Sequence, residues 1–86
     1  MLTIQTGKGN RHEVLFCGIG GILGTLCFDM IDDRRAADII AEFDDPENTG
    51  IITYSDGRTS TIYRGYTKLS GYSARQDGTV RVMLAK

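Results

Sequence analysis

The chain has 86 residues, 41% of them hydrophobic and 24% charged, which is enough for one domain spanning residues 1–86 and leaves no apolar surplus for a second core. Its formal net charge of −1 lacks the strong basic excess of most nucleic-acid binders, and its two cysteines are too few for a disulfide scaffold. No basic, apolar leader opens the sequence at Met1-Leu2-Thr3-Ile4, so a reducing, cytoplasmic setting is expected, with Cys17 and Cys27 as core thiols.

Residues 2–6 are predicted to form a short strand, closed by the turn-forming tetrapeptide Gly7-Lys8-Gly9-Asn10. Residues 14–28 then run uncharged between Glu13 and Asp29. As a helix this run would reach only about 22 Å, short of the roughly 30 Å of a bilayer's hydrocarbon, so no membrane span is expected. Gly20 and Gly24 match the small-xxx-small spacing of packed helices. Four glycines in one helix, however, would cost about 1 kcal/mol each. Two buried strands, residues 13–19 and 23–30, joined at Gly20-Gly21, are the better reading.

One helix follows. Asp32 or Asp33 can cap it, and Ala36, Ile39, Ile40 and Phe43 recur at helical spacing on one face. Asp44-Asp45-Pro46 ends it, because a residue before proline is pushed out of the α region. So narrow an apolar stripe needs a sheet to lie against.

Residues 50–86 contain Asp56-Gly57 and Asp77-Gly78 between three runs of β-formers, the pattern of a three-stranded meander. Two-residue turns at both pairs set Tyr54 opposite Thr59 and Ser73 opposite Val82. Period-two alternation then gathers Ile52, Tyr54, Tyr63, Leu69, Val80, Val82 and Leu84 on a core face. The other face gathers Arg58, Ile62, Arg64, Tyr66, Lys68, Tyr72, Arg81 and Met83, and is expected to be basic, aromatic and exposed.

Charge is divided along the chain. Residues 1–49 carry four basic and nine acidic side chains, a balance of −5; residues 50–86 carry six and two, a balance of +4. The two halves either neutralise each other within one molecule, or let the acids around Asp32, Asp33, Asp44 and Asp45 of one copy meet the basic face of the next in a head-to-tail contact. The same basic, aromatic face is also compatible with single-stranded nucleic acid, through phosphate contacts and base stacking. A first strand left free at residues 2–6 would be a natural donor for edge pairing.

Chemical motifs fail on inspection. Gly18-x-Gly20-Gly21-x-x-Gly24 is not a dinucleotide fingerprint, and no Lys-Ser/Thr follows as a phosphate loop requires. His12 is the sole histidine, so neither a zinc site nor a nucleophile relay can be assembled, and it is expected at the surface. The acids at 44–47 lack the alternating spacing of a calcium loop. No enzyme activity, cofactor or metal is expected.

Gly50 to Leu84, with Thr53-Tyr54-Ser55-Asp56-Gly57, Tyr63-Arg64-Gly65-Tyr66, Gly71 and Asp77-Gly78-Thr79-Val80, resembles the C-terminal strands of small phage and prophage tail proteins. The resemblance implies a virion component or assembly factor that associates with itself, and with other virion proteins, through sheet edges and charged faces. Together these readings give an α+β domain: a mostly antiparallel sheet, sandwich-like or barrel-like, with one short helix packed on it. Arg58, Arg64, Tyr66, Lys68, Tyr72 and Arg81 are the candidate contact surface, and the four acids its complement.

Overall fold

The computed structural model describes residues 1–20 and 24–86. Eight strands, β1 (Leu2–Thr6), β2 (Arg11–Val14), β3 (Phe16–Gly20), β4 (Thr25–Met30), β5 (Ile52–Ser55), β6 (Ser60–Tyr63), β7 (Lys68–Ala74) and β8 (Val80–Ala85), accompany one helix, α1 (Asp33–Asp44). The strands form two antiparallel four-stranded sheets, in the order β2-β1-β5-β6 and β3-β4-β8-β7. The class is α+β as expected, and neither sheet closes into a barrel.

The interior is set by strand parity. Met30 pairs with Val80, Phe28 with Val82 and Leu26 with Leu84, and all six side chains are 0–1% exposed on the inner face of the second sheet. Helix α1 covers part of that face, packing on β4, β7 and β8 through Ala36, Ile39 and Phe43. The first sheet covers the rest through Ile4, Val14 and Ile52, with Leu2, Tyr54 and Tyr63 at the margin. The opposite face of the first sheet, with Thr3, Gln5, Glu13 and Thr53, meets water.

Helix boundaries follow local chemistry. Asp32 is the N-cap in an extended conformation, and its carboxylate accepts the Arg35 backbone N–H at 2.9 Å. Asp45, before Pro46, has ψ of 123° and ends the helix.

Two expectations about the strands are corrected. Residues 13–19 are not one strand: Val14 buries into the first sheet, Leu15 turns the corner with its N–H on the Asp29 carbonyl at 2.8 Å, and Phe16 opens the second sheet. Among the described residues the next strand runs from Thr25 to Met30; Gly21, half of the expected joint, and Leu23, its expected start, lie outside the described residues. Whether residues 2–6 are left free was open in the sequence, and here β1 is paired on both sides, with β2 and β5.

The second correction concerns residues 50–86, which form two hairpins in different sheets instead of one meander. Between β6 and β7 the chain crosses over through Arg64, Gly65, Tyr66 and Thr67, with Gly65 at φ +85°. Tyr66 turns inward: it is 5% exposed, its N–H donates to the Gly50 carbonyl at 3.3 Å, and its hydroxyl donates to the Gly24 carbonyl at 3.3 Å. A buried phenol with its hydroxyl satisfied is worth more here than on a wet sheet face.

The turns are longer than two residues. The Asp56 carboxylate accepts the N–H groups of Arg58 (2.8 Å) and Thr59 (2.9 Å), which stabilises a four-residue loop. Tyr54 therefore faces Thr61, a shift of two that keeps every side chain on its expected side. The β7–β8 loop runs from Arg75 to Thr79 and shifts the register by one, so Tyr72, not Ser73, faces Val82. A bulge between Leu69 and Gly71 returns Leu69 to the expected core face, where it, and not Gly71, stands opposite Leu84.

Gly50 anchors the crossover. Its φ is +72°, and an added Cβ would lie 2.6 Å from Thr67 Cγ2 and 3.3 Å from the Tyr66 nitrogen. Gly57 has a similar φ of +93° but open space around it. Gly57→Ala should thus cost about 1 kcal/mol in urea unfolding, and Gly50→Ala clearly more, about 2–4 kcal/mol; equal losses would mean that the close approach at Gly50 is unimportant.

Candidate assembly surface

The expected basic, aromatic face is not one face. Arg58 lies in the β5–β6 loop, Arg64 in the crossover, and Tyr66 is buried. Lys68, opposite Ala85, and Arg81 lie on the outer face of the second sheet with Met83, while Ile62 sits on the outer face of the first. The one-residue register shift carries Tyr72 to the inner side, where it stands beside α1 and is 62% exposed.

The acids are equally divided in role. Asp32 is spent on capping, and Asp45 pairs with Lys8, whose hydrogen bond is the main cause holding that carboxyl below its usual range. Asp33 and Asp44 border a cleft of about 390 Å³ between α1 and β7, whose apolar lining includes Ala37, Ile40, Ala41, Tyr72 and Val80. Neither has an ion-pair partner among the described residues.

The chief cluster that sequence reasoning missed is centred on Asp29. In β4, Leu26, Phe28 and Met30 point inward, so Asp29 points outward, where its 8% exposure comes from its neighbours. Arg81 donates from Nε at 2.8 Å, Arg75 lies 3.1 Å away, and the Phe16 ring stacks on the Arg81 guanidinium at 5.4 Å. The signal was legible in principle, since Asp29 and Arg81 fall on the polar parity of two otherwise apolar strands. One carboxylate between two guanidiniums leaves this face with a fixed positive charge. It also joins the acidic and basic halves of the sequence, so part of the charge division is neutralised within the molecule.

Burial pushes the Asp29 carboxyl up, but the hydrogen bonds from Arg81 and Arg75 outweigh it and hold the group below its ordinary value. A depressed folded-state value means stability that is fully present above about pH 4 and is lost as the pH falls through the lower folded-state value. Asp29→Asn should lower stability at pH 7 by about 1–2 kcal/mol, a modest figure because both arginines are partly in water. It should also flatten the acid limb of a stability-against-pH curve; identical limbs in the two proteins would refute the assignment.

His12 is not a surface residue as expected. Its Nε2 lies 2.8 Å from Glu42 Oε2, and the other Glu42 oxygen accepts from Thr6 (3.0 Å) and Asn10 (2.5 Å). These contacts tie α1 to β1 and β2 beside a cleft of about 730 Å³ whose lining includes Arg11, Arg34, Arg35 and Asp38. Among the described residues no serine, threonine or cysteine lines that cleft. Among the described residues no three His, Cys, Asp or Glu side chains are grouped to hold a metal ion.

Both cysteines are free thiols. Cys27 stands opposite Gly18 and Cys17 opposite Phe28, so the two point to opposite faces of the sheet, unsuited to a bridge. Burial, with Cys27 nearby, pushes the Cys17 thiol up to about 12, leaving it a poor nucleophile.

Sheet edges are the remaining feature. Strand β3 ends the second sheet with five uncharged residues, and Phe16 (43%) and Ile19 (51%) are exposed on it. At the other end of that sheet β7 has Lys68 and the bulge at one end, but an uncharged stretch from Gly71 to Ala74 at the other. Natural edges are usually blunted by charge, proline or a bulge along their length. β3 has none of these.

Against these features, no family model, curated protein or solved structure matches this chain. No helix among the described residues is long and apolar enough to cross a membrane.

Proposed function

We propose that this is a non-enzymatic structural or assembly protein, phage- or prophage-derived, that self-associates through the edges of its second sheet. It would work in the cytoplasm or within an assembled phage particle, with other virion proteins as further partners. The observation that carries the self-association is β3: an uncharged terminal strand with exposed Phe16 and Ile19, free of the devices that keep monomers apart. The phage connection rests on the resemblance of residues 50–84. A nucleic-acid module was the competing class, but the residues it would need lie on a loop, a crossover, two sheet faces and in the core, so they form no continuous groove.

Light scattering across a range of protein concentrations tests the proposal. A multimer of defined mass is expected, and Ile19→Lys, a charge on an exposed edge position, should reduce it to monomer. A wild-type protein that stays monomeric at the highest concentration would reject self-association. Retention of single-stranded oligonucleotide at physiological salt would revive the competing class.

A further inference from the structure

We infer that the second sheet of one copy continues into the second sheet of the next, with β3 of one molecule pairing antiparallel to the Gly71–Ala74 stretch of β7 in its neighbour. The inference rests on the self-association reading and names the partner edge.

Strand direction comes first. All neighbours in the order β3-β4-β8-β7 are antiparallel, and the sheet has four strands, so β3 and β7 run in opposite directions. Two copies laid side by side in the same orientation therefore present β7 of one to β3 of the other already antiparallel. No inversion of either copy is needed, and the alternation passes through the junction unbroken.

Side-chain parity agrees. Ile19 pairs with Leu26, so it belongs to the inner face; it is nevertheless 51% exposed, because β3 is the end of the sheet. Tyr72 pairs with Val82 and also belongs to the inner face, standing 62% exposed at the opposite end. Joining the two edges brings these faces into line, so that Ile19 of one copy reaches the apolar cleft of Tyr72 and Ile40 in the next. One contact covers two exposed apolar patches.

Charge agrees as well. Strand β2 is the first sheet's edge nearest α1, since both line one cleft, so β6 is its far edge, away from α1. The first sheet's free edge and the helix thus lie apart on each copy, and a head-to-tail contact is the kind that can bring them together. Arg58 and Arg64 flank β6, while Asp33 and Asp44 lie at the two ends of α1; none of the four has an ion-pair partner among the described residues. Such a contact uses different surfaces on the two copies, so it builds a closed ring or an open filament rather than a twofold dimer.

The test uses two exposed-site variants of the whole chain, Ile19→Lys, which blocks the β3 edge, and Tyr72→Lys, which blocks the β7 side. Wild-type protein should exceed dimer mass, and each variant alone should be monomeric. An equimolar mixture should form a dimer that grows no further, because one intact β3 edge and one intact β7 edge remain. A stable dimer of Tyr72→Lys alone would overturn the inference in favour of β3 pairing with β3, and a mixture that stays monomeric would overturn the pairing of β3 with β7; in both cases self-association of the wild type would stand. A monomeric wild type would overturn both. Should either lysine variant lose its native circular dichroism spectrum, Ile19→Ser and Tyr72→Ser repeat the experiment with a smaller change, and the same outcomes decide it.

Discussion

The fold depends on one apolar surface, the inner face that β4 and β8 make together. Leu26, Phe28 and Met30 meet Leu84, Val82 and Val80 there, and both the helix and the first sheet close on it. Burying one such side chain is worth about 1.5–3 kcal/mol, so this patch outweighs any single polar contact in the molecule. Because two elements share it, neither covers the whole sheet, and both ends of the sheet remain in water. The exposed edges are thus a consequence of the core's layout in a chain of this size.

Polar chemistry fixes orientation on that apolar base. Glu42 receives Thr6, Asn10 and His12, which sets α1 against the first sheet, while Asp29 holds Arg75 and Arg81 on the far side of the second. In both cases a carboxylate joins segments distant in sequence. Each is partly shielded from water, where a hydrogen bond to a charged group is worth more than at an exposed surface.

Much of this was legible in the residues, and the misses have physical causes. The helix, its Asp32 cap, its end before Pro46 and the inward set from Ile52 to Leu84 follow from period and capping, which are local. The site was read less well because it depends on register. Asp56 accepts the backbone N–H groups of Arg58 and Thr59, and Asp77 that of Thr79, which lengthens both loops beyond the two residues that Asp-Gly suggested. Arg64-Gly65-Tyr66 looked like alternating strand, yet Gly65 with positive φ and the buried Tyr66 mark a change of sheet. No local periodicity reports that two consecutive hairpins belong to different layers. Asp29 was hidden for a related reason: its partners lie 46 and 52 residues away.

The interleaving of the two sheets also bears on how the molecule is made. Thr6 pairs with Ile52 and Met30 with Val80 at the near ends of the central ladders, so both close loops of more than forty residues before they return any burial. Topologies dominated by such distant contacts fold in roughly milliseconds to seconds, while a hairpin such as β3–β4 forms in about microseconds. That hairpin can therefore form and reopen many times, with its outer side unpaired, before the chain reaches β8. Order of events then becomes a constraint in itself: an unpaired strand edge that forms before the scaffold around it is open to any other chain at hand, and crowding raises the risk of premature aggregation.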